Sequence, residues 1–289
     1  MLTKKQFHDL LQAGPILLDG ATGSNLMKAG MPRGCCTESW VLEHPEALTS
    51  LQRAYVQAGS KIIYAPTFQA QPIALERIGL ADQCEKINEQ LVQLSRSVDD
   101  TILVAGDLTT LAVYCDSFDP ENFDLLVENY RRQIHGLLAG GVDLLVGETL
   151  MYPQEAEAIF TAAELEGASC CMYSFTMQAD GSLFSGMDAL PTLKGLEDAG
   201  ATAVGFNCVA ADGLTAALVS KMRRTLKGPI LCKPNAGVPT IGTDNLPHYS
   251  MTPAEFSAIV CDCAAMGAQV LGGCCGTDPS FILALNQKL

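Results

Sequence analysis

The chain has 289 residues, of which 48% are hydrophobic and 17% are charged, and its formal net charge at pH 7 is −14. This acidic balance argues against a nucleic-acid partner, because phosphate binding requires clustered Lys and Arg. No apolar run is long enough to span a membrane, and the amino-terminal segment MLTKKQFHDLLQAG lacks the features of a signal peptide. We therefore expect a cytoplasmic protein with no membrane partner, and the composition is compatible with a small-molecule enzyme.

The first predicted element is a short helix. Thr3 is a suitable N-cap residue, and Gly14 is a suitable stop. The apolar residues between and beside them fall at helical spacing: Leu2, Phe7, Leu10 and Leu11. This segment is therefore predicted to pack one apolar face against the rest of the protein.

Eight short apolar runs follow along the chain. They are PILLDG, KIIYAPTF, TILVAGDL, VDLLVGET, CCMYSFTM, TAVGFNC, PILCKPNAG and QVLGGCCG. Each run is continuous and does not alternate with polar residues, which is typical of strands buried on both faces of a parallel sheet.

The stretches between these runs have helical periodicity. Examples are HPEALTSLQRAYVQAG, ENFDLLVENYRRQIHGLLAGG, YPQEAEAIFTAAELEG and TPAEFSAIVCDCAAMG. Several begin with Pro or a capping residue and end in Gly, as helices do. The βα unit repeats eight times with no break in composition, which predicts one (β/α)₈ TIM barrel domain over residues 1–289. A doubly wound open sheet is the alternative, but no Gly-x-Gly-x-x-Gly follows the first strand.

Polar residues stand at the carboxyl ends of these predicted strands, where barrels of this kind place their active sites. They are Asp19, Gly20, Thr67, Asp107, Glu148, Asn207, Cys208, Asn235, Cys274 and Cys275. We therefore expect these groups to converge at one rim of the barrel.

Three of these strand-end residues are cysteines. Adjacent cysteines such as Cys274 and Cys275 rarely bond each other, because a disulfide needs a larger separation of Cα atoms than one peptide step. Cys208 follows a strand only one neighbour away, so all three thiols could reach a common point. Three thiolates plus one open position is the arrangement of a catalytic zinc. The alternative is that they pack as small hydrophobic residues.

The chain has twelve cysteines. In a chain of this length without a signal peptide, that number favours metal or redox chemistry over a disulfide scaffold. Seven of the other nine lie in apolar surroundings and are predicted to be core residues: Cys84, Cys115, Cys170, Cys171, Cys232, Cys261 and Cys263. The pair Cys35 and Cys36 lies in a loop and has no assigned role.

Six segments together resemble the homocysteine S-methyltransferase family, which includes the homocysteine-binding barrel of cobalamin-dependent methionine synthase. They are LLDGATGSNL, TF at 67–68, GET at 147–149, GFNC at 205–208, PNAG at 234–237 and GGCCGT at 272–277. The resemblance covers nearly the whole chain in the same order. It implies a (β/α)₈ barrel that transfers a methyl group to the thiol of L-homocysteine, giving methionine.

The resemblance also implies roles for the strand-end residues. Zn²⁺ is held by Cys208, Cys274 and Cys275, and the homocysteine sulfur is the fourth ligand. No catalytic residue is implied beyond the zinc-activated substrate thiolate. The remaining residues are implied to contact the substrate, with Glu148 on its ammonium: Asp19, Gly20, Thr67, Glu148, Asn207 and Asn235. Independently, a free thiol titrates near pH 8.5, and zinc deprotonates it on binding.

The methyl donor is expected to come from elsewhere, because the chain ends soon after the eighth strand. We expect methylcobalamin on a separate corrinoid protein, charged from methyltetrahydrofolate by its own methyltransferase. The alternative is a small onium donor, betaine or S-methylmethionine, which would need an aromatic cage. The candidate aromatic residues are scattered over strand ends: Trp40, Tyr64, Tyr114 and Tyr152. A related thiol acceptor and a non-enzymatic zinc-thiolate protein are the other open alternatives.

Overall fold

Eight parallel strands form the centre of the structure, a computed structural model that describes residues 1–243 and 247–289. They are β1 (Ile16–Leu17), β2 (Ile62–Tyr64), β3 (Leu103–Thr109), β4 (Leu144–Leu150), β5 (Cys171–Phe175), β6 (Ala203–Ala210), β7 (Ile230–Asn235) and β10 (Ala268–Leu271). Each overlaps one of the eight apolar runs, and none extends beyond its run by more than two residues, so the predicted strands are confirmed. A small antiparallel hairpin of β8 (Thr240–Ile241) and β9 (Pro247–His248) was not predicted.

Helices connect the strands. They are α1 (Lys4–Leu11), α2 (Gly23–Lys28), α3 (Thr37–Glu43), α4 (Pro45–Ala58), α5 (Pro72–Leu75), α6 (Cys84–Arg96), α7 (Phe123–Gly140), α8 (Pro153–Leu165), α9 (Ala189–Ala199), α10 (Thr215–Arg223), α11 (Pro253–Ala265) and α12 (Pro279–Asn286). The predicted start and stop signals hold for the four quoted helical stretches. For example, Pro45 opens α4, and Gly59 closes it with a left-handed φ of 110°. By contrast, α1 ends at Leu11, before its predicted stop at Gly14. None of the described helices combines the length and hydrophobicity that a membrane span needs.

The strands follow one another around a barrel in the order β1-β10-β7-β6-β5-β4-β3-β2. A doubly wound sheet would reverse its strand order at a switch point, and this sheet does not. The barrel closes between β1 and β2, the first and last strands in this order, where the Lys61 N–H donates a hydrogen bond to the Leu17 carbonyl at 2.7 Å. The predicted (β/α)₈ barrel is therefore confirmed, and the open-sheet alternative is wrong.

Helix α1 covers the amino-terminal end of the barrel. Thr3 caps it, accepting a hydrogen bond from the Gln6 N–H, while the Gln6 side chain accepts one from the Thr3 N–H. Phe7 is fully buried in a cluster with the interior residues of the strands. The Leu2 N–H donates to the Asp143 carbonyl just before β4, which fixes α1 across this end.

The burial of the cysteines agrees with most of the core predictions. Five are buried: Cys84, Cys170, Cys171, Cys232 and Cys263. Cys115 and Cys261 are only half-buried. All twelve cysteines are free thiols.

Candidate functional site

Three cysteine sulfurs meet at the carboxyl end of the barrel. Cys208 lies near the end of β6, and Cys274 and Cys275 lie in the turn after β10. Their Sγ atoms all lie within 4.8 Å of one another, with 2.9 Å between Cys208 and Cys274 and 3.9 Å between Cys208 and Cys275. The structure thus brings together the three thiols that the sequence singled out, and this group could hold a metal ion.

The backbone of the turn after β10 requires small residues. A Cβ atom on Gly273 would lie 2.5 Å from the Thr277 hydroxyl oxygen. That hydroxyl donates to the Cys274 carbonyl at 2.8 Å and accepts from the Ala21 N–H at 3.1 Å. The turn is therefore held tightly against the end of β1, with both thiols facing the barrel mouth.

The three thiols fit a zinc ion. Zinc bound tetrahedrally by thiolates at about 2.3 Å places its sulfurs about 3.8 Å apart. The 3.9 Å between Cys208 and Cys275 already matches this value, whereas the 2.9 Å between Cys208 and Cys274 would have to lengthen by about 1 Å. Hydrogen bonds from the Cys208 and Cys274 thiols lower the pKa of Cys275 to about 3. At least one sulfur is therefore a thiolate at neutral pH, the form that binds metals.

Two asparagines support the cysteines from behind. The Asn207 side chain donates to the Cys274 sulfur at 3.7 Å and to the Thr149 hydroxyl at 2.7 Å, and it accepts from the Thr149 N–H at 2.9 Å. Asn235 donates to the Cys208 carbonyl at 3.1 Å. Neither asparagine lines the cavity described next. Their contacts order the backbone that carries the thiols.

Thr149 and Cys208 have left-handed backbone conformations, with φ of 58° and 54°. Residues other than glycine rarely adopt this region, and such strain collects at functional sites. At both positions the regular pairing of the strand is interrupted, for β4 beside β5 and for β6 beside β7. The Asn207 side chain holds Thr149 in this conformation through the two hydrogen bonds above.

A cavity of about 720 Å³ opens beside the cysteines. Six of the predicted site residues line it: Asp19, Gly20, Glu148, Cys208, Cys274 and Cys275. Thr67, predicted as a substrate contact, does not reach its wall. Its buried hydroxyl donates to the Asp107 carbonyl at 2.9 Å and accepts from the Asp107 N–H at 3.1 Å. Thr67 therefore fixes the neighbouring strand.

Gly20 permits close packing beneath the cavity. A Cβ atom at this position would lie 2.7 Å from the hydroxyl oxygens of both Thr277 and Tyr55. The glycine therefore lets the backbone after β1 approach the turn that carries the cysteines. Any larger residue would push the two segments apart.

A buried lysine that the sequence reasoning missed lies on the cavity floor. Lys233 on β7 is 3% exposed, with its Nζ 3.0 Å from Glu148 Oε1 and 3.9 Å from Asp19 Oδ1. The Nζ also lies 4.8 Å from the centroid of the Tyr64 ring. The available signal was a single cation inside an apolar run, because lysine is almost never buried unless it is paired.

Burial and charge act against each other in this cluster. Burial raises the pKa of Asp19 to about 7, although Lys233 opposes the rise. Burial likewise raises the pKa of Glu148, again opposed by Lys233. For Lys233 burial favours the neutral form, but Glu148, Cys274 and Asp19 outweigh it and hold the pKa well above its usual value. The lysine is therefore charged.

The candidate cage aromatics do not gather in the cavity. Trp40 stacks on His44, with ring centroids 4.4 Å apart. Tyr114 and Tyr152 line a second, more open groove of about 440 Å³. Of the four, only Tyr64 lines the main cavity, and Lys233 lies over its ring.

Comparisons with known proteins agree with this geometry. A profile of the family described as "Homocysteine S-methyltransferase" matches residues 16–289. The homocysteine S-methyltransferase of Escherichia coli (strain K12) is 28% identical over an alignment 300 residues long, which covers 94% of each chain. The crystal structure of the metallated form of the homocysteine methyltransferase MmuM from Escherichia coli has a TM-score of 0.84 at 24% identity, covering 98% of this chain and 99% of that one. The oxidized form has a TM-score of 0.80 at 25% identity, covering 95% and 96%.

Proposed function

The chain belongs to the homocysteine S-methyltransferase family and is a methyltransferase, and from this premise we propose a zinc-dependent reaction in which L-homocysteine is methylated to methionine. The observation that carries the zinc proposal is the convergence of Cys208, Cys274 and Cys275 at a cavity wall. Family membership also removes the non-enzymatic zinc-thiolate protein from consideration.

The chain's own residues supply the setting for the methyl transfer. Cys208, Cys274 and Cys275 would hold the metal as thiolates, and their negative charge would keep a fourth sulfur electron-rich. When bound, zinc lowers the pKa of the homocysteine thiol, so that it is a thiolate at neutral pH. The cavity lies beside Cys208 and Cys275, where that sulfur would bind, and the Asn207 side chain donates a hydrogen bond to the Cys274 sulfur.

The cavity floor suits an amino-acid head group. In our proposal Glu148 and Asp19 accept hydrogen bonds from the substrate ammonium, and backbone N–H groups near Gly20 bind its carboxylate. Both carboxylates are buried and line the cavity. A charged group that leaves water needs such partners, because an uncompensated buried charge is costly. Thr67, Asn207 and Asn235 then act behind the wall, where they hold these strands in place.

For the methyl donor, we propose methylcobalamin carried by a separate corrinoid protein that is charged from methyltetrahydrofolate. Large apolar side chains are exposed on the loops around the barrel mouth: Val113, Phe118, Phe184, Leu214, Val238 and Ile241. Exposed apolar patches are typical of protein–protein contact sites, and in our proposal the corrinoid protein docks on these loops. An onium donor is the second candidate. It would need an aromatic cage, and Tyr64, Phe68 and Tyr249 line the cavity, although Lys233 lies over the Tyr64 ring.

The zinc proposal is tested by metal content and homocysteine binding in the wild type and in Cys208→Ser. We expect one zinc per wild-type chain, release of a proton on homocysteine binding, and loss of both in the variant. Cys35→Ser is the control, because Cys35 is exposed and lies outside the cavity wall. Absence of zinc from wild-type protein purified anaerobically, together with no homocysteine binding after zinc is added back, would contradict the proposal.

The donor proposal is tested with a matched pair of surface variants. Phe184 on the mouth and Leu165 at the end of α8 are both 62% exposed. We expect Phe184→Ser, but not Leu165→Ser, to raise the KM for a methylated corrinoid protein while leaving the rate with free methylcobalamin unchanged. Turnover with betaine or S-methylmethionine, and none with either form of methylcobalamin, would favour the onium alternative.

A further inference from the structure

The polar floor of the cavity contains a third carboxylate. Asp107 lies on β3, is 5% exposed and lines the cavity with Asp19 and Glu148. The proposed reaction, as stated so far, uses Asp19 and Glu148 and leaves Asp107 without a role.

The backbone of Asp107 is firmly held. Its N–H and carbonyl both bond to the Thr67 hydroxyl, and its carbonyl also accepts from the Gln133 side chain at 3.1 Å. The side chain differs, because Oδ1 is buried and has no hydrogen-bond partner among the described residues. A buried oxygen without a partner is costly unless a ligand supplies one.

Lys233 does not meet this need. It pairs with Glu148 at 3.0 Å and approaches Asp19 at 3.9 Å, and no ion pair of Asp107 occurs in the described part of the chain. The floor therefore has three carboxylates around one cation. A second cation placed beside Asp107 would compensate the negative charge that Lys233 alone leaves on this floor.

We propose that Asp107 is a further substrate-binding residue, which accepts a hydrogen bond from the α-ammonium of homocysteine. In this arrangement Lys233 is a positioning residue: it occupies Glu148 Oε1 and so orients the ammonium toward Asp107 Oδ1. The pair makes the site selective for a thiol that carries an amino group. This inference rests on the proposed function, since it assumes that homocysteine occupies the cavity.

The test removes each partner of the proposed contact in turn. Binding to the zinc-loaded protein is measured calorimetrically for homocysteine and for desamino-homocysteine, the same thiol acid without its amino group. In Asp107→Asn we expect homocysteine affinity to fall by about 10- to 100-fold, as for loss of a charged hydrogen bond. Desamino-homocysteine affinity should change by less than about twofold, which is within the usual scatter of neutral contacts.

Asp124→Asn is the matched control, because Asp124 is an exposed carboxylate at the start of α7 outside the cavity wall. If Asp107→Asn does not fold, Asp107→Ser makes the same comparison with a smaller side chain. Equal losses for the two ligands, or an unchanged homocysteine affinity, would overturn the assignment of Asp107. Failure of the zinc-loaded wild type to bind either thiol would overturn the proposed function itself.

Discussion

The two ends of the barrel interior are built by the same strands but have opposite chemistry. At the amino-terminal end the interior is filled by apolar side chains: Phe7, Ile62, Leu144, Met172, Leu231 and Val270. At the carboxyl end the same strands present carboxylates, a lysine and thiols. On β4, for example, Leu144 and Val146 belong to the apolar cluster, and Glu148 two residues later lines the cavity.

This difference separates stability from function along a single strand. Side chains two residues apart on a strand point to the same face, so each strand can contribute to both layers. The apolar layer stabilises the fold by removing surface from water, whereas the polar layer buries charges that are costly to desolvate. Substitutions in the polar layer should therefore lower metal binding and activity, and substitutions in the apolar layer should lower the free energy of unfolding.

The largest expected effect is on the polar layer, in Cys274→Ser. Loss of an outer-shell partner alone costs about 10- to 100-fold in metal affinity, so loss of a thiolate ligand should cost more than about a hundredfold. Zinc titration and activity measure this loss. With a chelator present, the free energy of unfolding should stay within about 1 kcal/mol of the wild-type value. If the free energy of unfolding in the presence of the chelator fell by much more than this, the polar layer would also be needed for stability, which would contradict the separation of the two layers.

In the apolar layer we expect the opposite result for Leu231→Ala, a loss of stability with zinc binding retained. Leu231 is fully buried on β7, two residues before Lys233. Replacement of such a leucine costs about 2–5 kcal/mol because it leaves a cavity. Urea unfolding of the zinc-loaded protein measures the loss, and zinc stoichiometry should remain that of the wild type. Loss of zinc at concentrations of urea where the variant is still folded would contradict this expectation.

The pH dependence of stability sharpens the comparison at Asp19. Its pKa is about 7 in the folded protein because of burial, against 3.8 for an ordinary aspartate, so the folded state holds the proton that the unfolded chain releases. The stabilising contribution is full below pH 3.8 and is lost as the pH rises to about 7. Between about pH 5 and pH 8, the free energy of unfolding should fall by about 2–3 kcal/mol relative to Asp19→Asn. Urea unfolding of the wild type and of Asp19→Asn at several pH values across this range measures the difference. If the free energy of unfolding of the two proteins changed with pH in the same way, the expectation would be wrong.

The smallest effect is expected at the cap of the amino-terminal end, in Thr3→Ala. Removal of a Thr N-cap costs about 1 kcal/mol of stability. The site lies at the opposite end of the barrel, so kcat and KM should be unchanged. Thermal unfolding and steady-state kinetics measure the two quantities, and a changed KM would mean that α1 influences the cavity.

Most of the fold could be predicted because strands buried on both faces require continuous apolar runs, and because helix ends need capping residues and glycines. The β8–β9 hairpin escaped prediction because its strands are two residues long and exposed, with no apolar pattern. For the candidate site, the sequence predicts that residues at the ends of β1, β4, β6 and β10 converge, because strand order alone brings them to one rim, and residues from each of these four ends line one cavity.

The rest of the site depends on contacts between distant strands. Thr67 and Asn207 stand at strand ends as binding residues do, but their polar groups bond to Asp107 and Thr149. No local pattern distinguishes such a side chain from one that faces the cavity. In the sequence Lys233 is a single cation inside an apolar run, and its role depends on Glu148 and Asp19, which lie far away in the sequence.

The burial of Lys233 also has a consequence for the order of folding. Its partners come from β1 and β4, and β1 reaches it only when the first and last strands meet. Until then the ammonium must stay hydrated, because an unpaired charge is costly in the interior. Contacts between segments so far apart in sequence form slowly. The polar floor should therefore be the last part of the barrel to lose its water during folding. In a chain truncated before β10, we expect β7 and the Lys233 side chain to stay exposed to solvent.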